Sequence, residues 1–183
     1  NWYANNMTSY TKYLSTTAVY CNDRELASGS SYSTSSRFNL KSYERLKTNK
    51  TPTYDCTNKK DAFSVNNAEA KLTYPIGLMT ADEIAYAGGV STKKAPMWYY
   101  TNSSLESSTG TQYWWSLSPN YWSGIDAGSW FVYGSELPGY LSDCDVSDVH
   151  GVRPAISLKA CTLWTSGNGA PETPYEIVGN GGC

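Results

Sequence analysis

The residues best equipped for chemistry crowd into one stretch, YLSDCDVSDVH (140–150). Asp143, Asp145 and Asp148 are near-alternate carboxylates, a pattern that suits a hard cation. The glycine and bidentate glutamate of a calcium loop do not follow at the required offsets, so the stretch reads as a solvated loop and no metal is expected. His150 near Asp148 suggests a general base, with Ser147 or Cys144 as nucleophile. Neighbours two or three positions apart in one loop do not form a triad, however. A second set of functional side chains is aromatic: Trp98, Tyr99, Tyr100, Tyr113, Trp114, Trp115, Tyr121 and Trp122 could stack on sugar rings. The competing role for Trp114, Trp115 and Trp130 is core, expected for at least two of the three, because this chain has little Phe from which to build one. Arg153, followed by Pro154, reads as an anchor of the fold rather than a ligand contact. Binding chemistry therefore outweighs catalysis, and neither an enzymatic activity nor a cofactor is expected.

Composition narrows the setting. The 183 residues include 16 Tyr and 7 Trp against 3 Phe, while charged residues make up 16% and the net charge is −2. Tyr and Trp join an apolar body to a polar tip and suit surfaces that are wet and adhesive in turn. A basic stripe is lacking, which argues against nucleic acid as a partner. No apolar run approaches a membrane span, so membrane association would come only through an anchor upstream. The chain begins at Asn1 with no signal peptide and reads as a processed or excised part of a longer protein. Cysteines stand at 21, 56, 144, 161 and 183, without a CxxC pair. Scattered Cys in a chain rich in Ser, Thr, Asn and Gly suggests an oxidising, extracellular setting. Cys21 with Cys56 is the first disulfide expected and Cys161 with Cys183 the second, which leaves Cys144 over.

The elements that must position these residues divide the chain. WYANNMTSYTKYL (2–14) spaces its apolar residues for an amphipathic helix. TTAVYCNDREL alternates as a short strand does, ASGSSYSTSS (27–36) is a polar loop, NLKSYERL (39–46) suits a short helix, and 47–66 is loop-like. KLTYPIGLM reads as a strand feeding a helix over 80–89. There Thr80 and Glu83 form a capping box, and Gly88-Gly89 end the helix. Beyond Pro96 come short β-prone runs: MWYYTNSS, TQYWWSLSP, SWFVYG, GYLSDCDV and GVRPAISLKA. A final strand is expected at 175–178. Helices early and strands late predict an α+β fold. A single domain over 1–178, with a tail at 179–183, is expected.

YWWSLSP (113–119) followed by GVRPAISLK (151–159) resembles a family of bacterial surface proteins with a C-type-lectin-like fold. WYANNMTSYTKYL, the VYCNDREL segment (19–26), KLTYPIGLMTADEIAYAGG (71–89) and GNGAPETPYEIV (167–178) extend the resemblance over nearly the whole chain. It implies two main helices with short, twisted antiparallel strands. The fold is shared with formylglycine-generating sulfatase-modifying enzymes, whose closely spaced copper-binding cysteines Cys144 and Cys161 do not match. The same WW…GVRPA frame is similar to that of variable proteins of bacterial or phage diversity-generating retroelements, in which adenines of a template are mutated. Asn codons so treated yield many residues but not Trp, Lys, Glu, Gln or Met, and 140–150 contains none of these.

The resemblance implies a variable segment at about 116–150. A face that accepts many side chains must lie in solvent on a rigid frame, because volume changes in a core cost stability. Gly124, Ala127, Trp130, Val132, Leu141 and Val146 are expected as framework. Ser116, Ser123, Ile125, Asp126, Gly128, Phe131, Tyr140, Ser142, Asp143, Asp145, Ser147, Asp148, Val149 and His150 are expected to form the ligand-binding face. The function expected is that of a surface-displayed receptor or adhesin-type domain, on a bacterial cell or phage virion, that binds a protein or glycan on another cell. A carbohydrate-binding module and a surface enzyme related to the sulfatase-modifying fold are the alternatives.

Overall fold

The computed structural model describes residues 2–89, 113–134, 137–170 and 172–179. In chain order these hold α1 (Trp2–Asn6), a 3₁₀ helix (Thr8–Tyr13), β1 (Tyr20–Cys21), β2 (Phe38–Asn39) and α2 (Lys41–Tyr43), which runs on as a π-helical turn to Asn49. Then follow β3 (Ala62–Phe63), α3 (Ala81–Tyr86), β4 (Tyr113–Trp122), β5 (Ala127–Tyr133), β6 (Leu141–Asp145), β7 (Leu163–Ser166) and β8 (Glu176–Gly179). The strands form three antiparallel sheets: β1-β3, β2-β4-β5-β6 and β7-β8. The fold is thus mostly β, with short helices, and the α+β expectation of two main helices is corrected.

The reason is local. In WYANNMTSYTKYL the side chains of Asn6 and Thr8 donate to the carbonyls of Trp2 and Ala4 at 2.8 and 2.6 Å. Such side chains compete with the helical ladder, and the expected helix breaks into one α-turn and a 3₁₀ segment that together bury only Tyr3. GVRPAISLKA forms no strand either. Pro154 has no N–H to give a ladder, and the segment makes single bridges from Gly151 to Trp114, Ala155 to Gly77 and Leu158 to Leu14. KLTYPIGLM likewise contributes single bridges, at Lys71 and Gly77. The MWYYTNSS run, with Trp98, Tyr99 and Tyr100, lies outside the described residues. The last strand reaches Gly179, one residue into the expected tail.

The helix over 80–89 forms as read. Thr80 accepts from Glu83 N at 3.0 Å, Glu83 Oε2 accepts from Thr80 N at 2.7 Å, and Gly88 takes the left-handed φ of +91° that ends the helix. Ala81 and Ile84 on α3, with Leu46 from the π-turn, pack on Trp114, Trp130, Val132 and Leu141 from one face of the four-stranded sheet. Buried hydroxyls lock these layers. Ser118 Oγ accepts from Ala81 N at 2.9 Å, and Ser42 Oγ accepts from Trp130 Nε1 at 3.0 Å while donating to Pro119 O. Arg45 clamps Asp82 through both carboxylate oxygens at 2.9 and 2.8 Å and reaches Asp23 at 2.6 Å. A planar guanidinium suits such a two-carboxylate site. The Cys21–Cys56 disulfide forms as expected. Cys161 is also disulfide-bonded, whereas Cys183 lies outside the described residues.

Candidate functional site

A groove of about 1170 Å³ opens where the central sheet meets the loops of the first half of the chain. Tyr32, Phe38 and Leu40 wall one side, Pro119, Tyr121 and Trp122 the next, and Gly128, Ser129 and Val146 close it. Polar atoms line it too, from Asn22, Arg24, Glu25, Asn58 and Asp61. Tyr32 is 71% exposed and meets the Phe38 ring edge-on at 5.5 Å. Its hydroxyl donates to Arg24 O at 3.3 Å. Beneath it the nearly buried Asp61 accepts from Arg24 Nε at 2.5 Å and from Asn58 Nδ2 at 3.0 Å, which ties the two loops together.

Tyr121 is the fixed point of the groove. The Arg37 guanidinium lies 4.2 Å from its ring centroid. Gly128 is its register partner, and any Cβ there would fall 2.4 Å from the ring, so only glycine leaves room for the tyrosine. The phenol donates to Asp145 Oδ1 at 2.9 Å. Burial, and then the Asp145 carboxylate, push its pKa up to about 12.

The strand tips form the rim. Ser123 Oγ accepts from Asp126 N at 2.8 Å, and Gly124 takes a φ of +110°, closing the β4–β5 turn with Ile125 at its tip, 82% exposed. The chain leaving β6 runs alongside, since Val146 N donates to Ala127 O at 2.9 Å. Val146 is 57% exposed and Val149 73% exposed.

The structure sorts the expected face into three groups. Ile125, Ser147, Asp148 and Val149 are exposed, and Ser123, Asp126, Tyr140, Ser142, Asp143, Asp145 and His150 are half-buried. Ser116, Gly128 and Phe131 are buried instead of facing out. Ser116 accepts from Ser118 N on the inner side of β4, Gly128 sits under Tyr121, and Phe131 is covered by Tyr113, Tyr133 and His150. Of the expected framework, Trp130, Val132 and Leu141 are buried, while Ala127 and Val146 are exposed where the strands run out. Trp114 is core beside Trp130, with the Arg153 guanidinium 4.8 Å from the Trp114 ring centroid.

On the outer face of the same sheet, the side chains of Cys144, Asp148 and His150 converge, their ligand atoms all within 4.8 Å. Cys144 is the free cysteine among the described residues. Burial, followed by Asp148, Asp143 and Asp145, pushes its thiol up to about 12. A nucleophilic cysteine needs the opposite environment, one that favours thiolate. Tyr32, Phe38 and Arg37 were missed in the sequence. The one signal for them was a tyrosine isolated in a Ser-rich loop, which carries no periodicity.

No family model, curated protein or solved structure matches this chain.

Proposed function

We propose that this chain is a ligand-binding domain, displayed outside the cell, that recognises a protein or glycan on another cell by non-covalent contact. The observation that carries the reading is the open groove with an apolar rim. Ile125 and Val146 expose large apolar area at adjoining strand tips, where folding gains nothing from them. Contiguous exposed apolar area rimmed by polar groups marks interaction sites. Tyr, Ser, Gly and Asn around the groove supply rigid contact area and adaptable hydrogen bonds, the composition of adaptable binding surfaces. The Cys21–Cys56 disulfide supports an oxidising location, and the protonated Cys144 thiol argues against cysteine-based catalysis.

Diversification of the rim belongs to the same proposal. The exposed side chains of Ile125, Val146, Ser147 and Val149 can change without touching the core formed by Trp114, Trp130, Val132 and Leu141. Sibling copies or a template repeat in the source genome test this. They are expected to differ at adenine positions within 116–150, and variation spread evenly through residues 1–110 would contradict it. A narrower reading, a carbohydrate-binding module, is favoured by one feature. The groove is lined by the rings of Tyr32 and Trp122 together with the planar polar groups of Asn22, Arg24 and Asn58, the pairing of stacking surface and hydrogen bonds that sugar rings require.

A further inference from the structure

Cys144, Asp148 and His150 have geometry that a solvated loop does not require. Cys144 leaves β6 on the side of its register partner Ser129. The chain then turns, with Asp148 N donating to Asp145 O at 3.0 Å, and brings the Asp148 carboxylate and the His150 ring back to the sulfur. His150 Nδ1 lies 2.8 Å from Val149 O. A carbonyl only accepts, so Nδ1 carries the hydrogen in this contact, which leaves Nε2 facing Cys144 Sγ at 3.1 Å. Ring packing fixes the imidazole further: the centroids of Trp115, Phe131 and Tyr113 stand 4.4, 4.7 and 5.4 Å away. An imidazole oriented by a carbonyl on one nitrogen, with the other nitrogen turned to a thiol, is the arrangement of a metal-ligating histidine.

The donor set selects the metal. Calcium and magnesium take oxygen ligands, whereas thiolate, imidazole and carboxylate together suit zinc and its neighbours. We propose that Cys144 Sγ, Asp148 and His150 Nε2 bind a zinc-class dication through three protein ligands, leaving a fourth position open to solvent. On binding, the Cys144 S–H bond breaks, its proton passes to water and a sulfur–metal bond forms, with no change of oxidation state. Cys144 stands beside the groove residue Ser129, but none of the three ligands lines the groove, and failure of the site would leave the binding proposal standing.

Cobalt titration of the full chain, stripped of metal and handled without thiol reductant, tests the site. One equivalent of Co²⁺ is expected to give thiolate-to-cobalt charge-transfer absorption that Zn²⁺ abolishes. Cys144→Ser removes the absorption, while Asp148→Asn and His150→Gln each weaken Co²⁺ binding by roughly tenfold or more, the size of effect that lesser perturbations of a metal site already produce. Near-UV circular dichroism checks that the variants fold. Should a variant misfold, alkylation of Cys144 in the unmodified chain decides the matter, since Zn²⁺ is expected to slow it. Absence of the absorption at one equivalent, its persistence in Cys144→Ser, or alkylation indifferent to Zn²⁺ overturns the proposal.

Discussion

Tyr121 shows how one residue ties the groove to the fold. Its ring lies between Arg37 and Gly128, and its hydroxyl is held by Asp145. The folded phenol therefore keeps its proton up to about 12, against 10.0 for an unperturbed tyrosine. In that window the folded state holds a proton that the unfolded chain has released, so stability falls as pH rises from the ordinary value through the raised one. A spectrophotometric titration of the chain, minus that of Tyr121→Phe, is expected to isolate one tyrosine with a midpoint near 12. A midpoint near the ordinary value would mean that Asp145 does not hold the phenol. Asp145→Asn removes the carboxylate's contribution and is expected to lower the midpoint, leaving the part due to burial.

Short elements held by specific polar contacts replace long ones in this fold. α3 spans Ala81–Tyr86 and depends on the Thr80–Glu83 capping box and on Ser118. Thr80→Ala removes the cap oxygen and is expected to cost about 1 kcal/mol, a fall of about 2–4 °C in Tm for a chain of this size. An unchanged Tm would show that packing of Ile84 alone holds the helix. This capping box was legible in the sequence because it needs only two residues at a fixed offset. The strands β4, β5 and β6 were legible for a similar reason: YWWSLSP, SWFVYG and YLSDCD each carry their own pattern. The helix count was not legible. Spacing in residues 2–14 is helical, but the back-bonding of Asn6 and Thr8 that interrupts it is a matter of rotamers. The strand expected at GVRPAISLKA failed because its apolar residues bridge three separate partners rather than one neighbouring strand.

At the scale of the whole molecule, the groove joins segments far apart in sequence, which is why sequence patterns placed its rim but missed its opposite wall. Ile125 follows from the segment 116–150, Val146 is exposed where framework was expected, and Tyr32 and Phe38 reach them only through the pairing of β2 with β4. The loops beneath that wall are fastened by the disulfide, which spans 35 residues. Replacing Cys21 and Cys56 together by alanine is expected to destabilise the chain by about 2–5 kcal/mol, read as a shift in the denaturant midpoint, and an unshifted midpoint would show that the Arg24–Asp61 tie suffices. The most direct test of the binding account is flow-cytometric titration of the fluorescently labelled chain against a panel of intact bacterial and eukaryotic cells, with protease or glycosidase pretreatment to separate protein from glycan ligands. The account predicts saturable binding to at least one member, reduced about tenfold, or about 1.4 kcal/mol, by Tyr32→Ala and by Ile125→Asp at unchanged Tm. Saturable binding that both substitutions leave intact, or none across the panel, would contradict it.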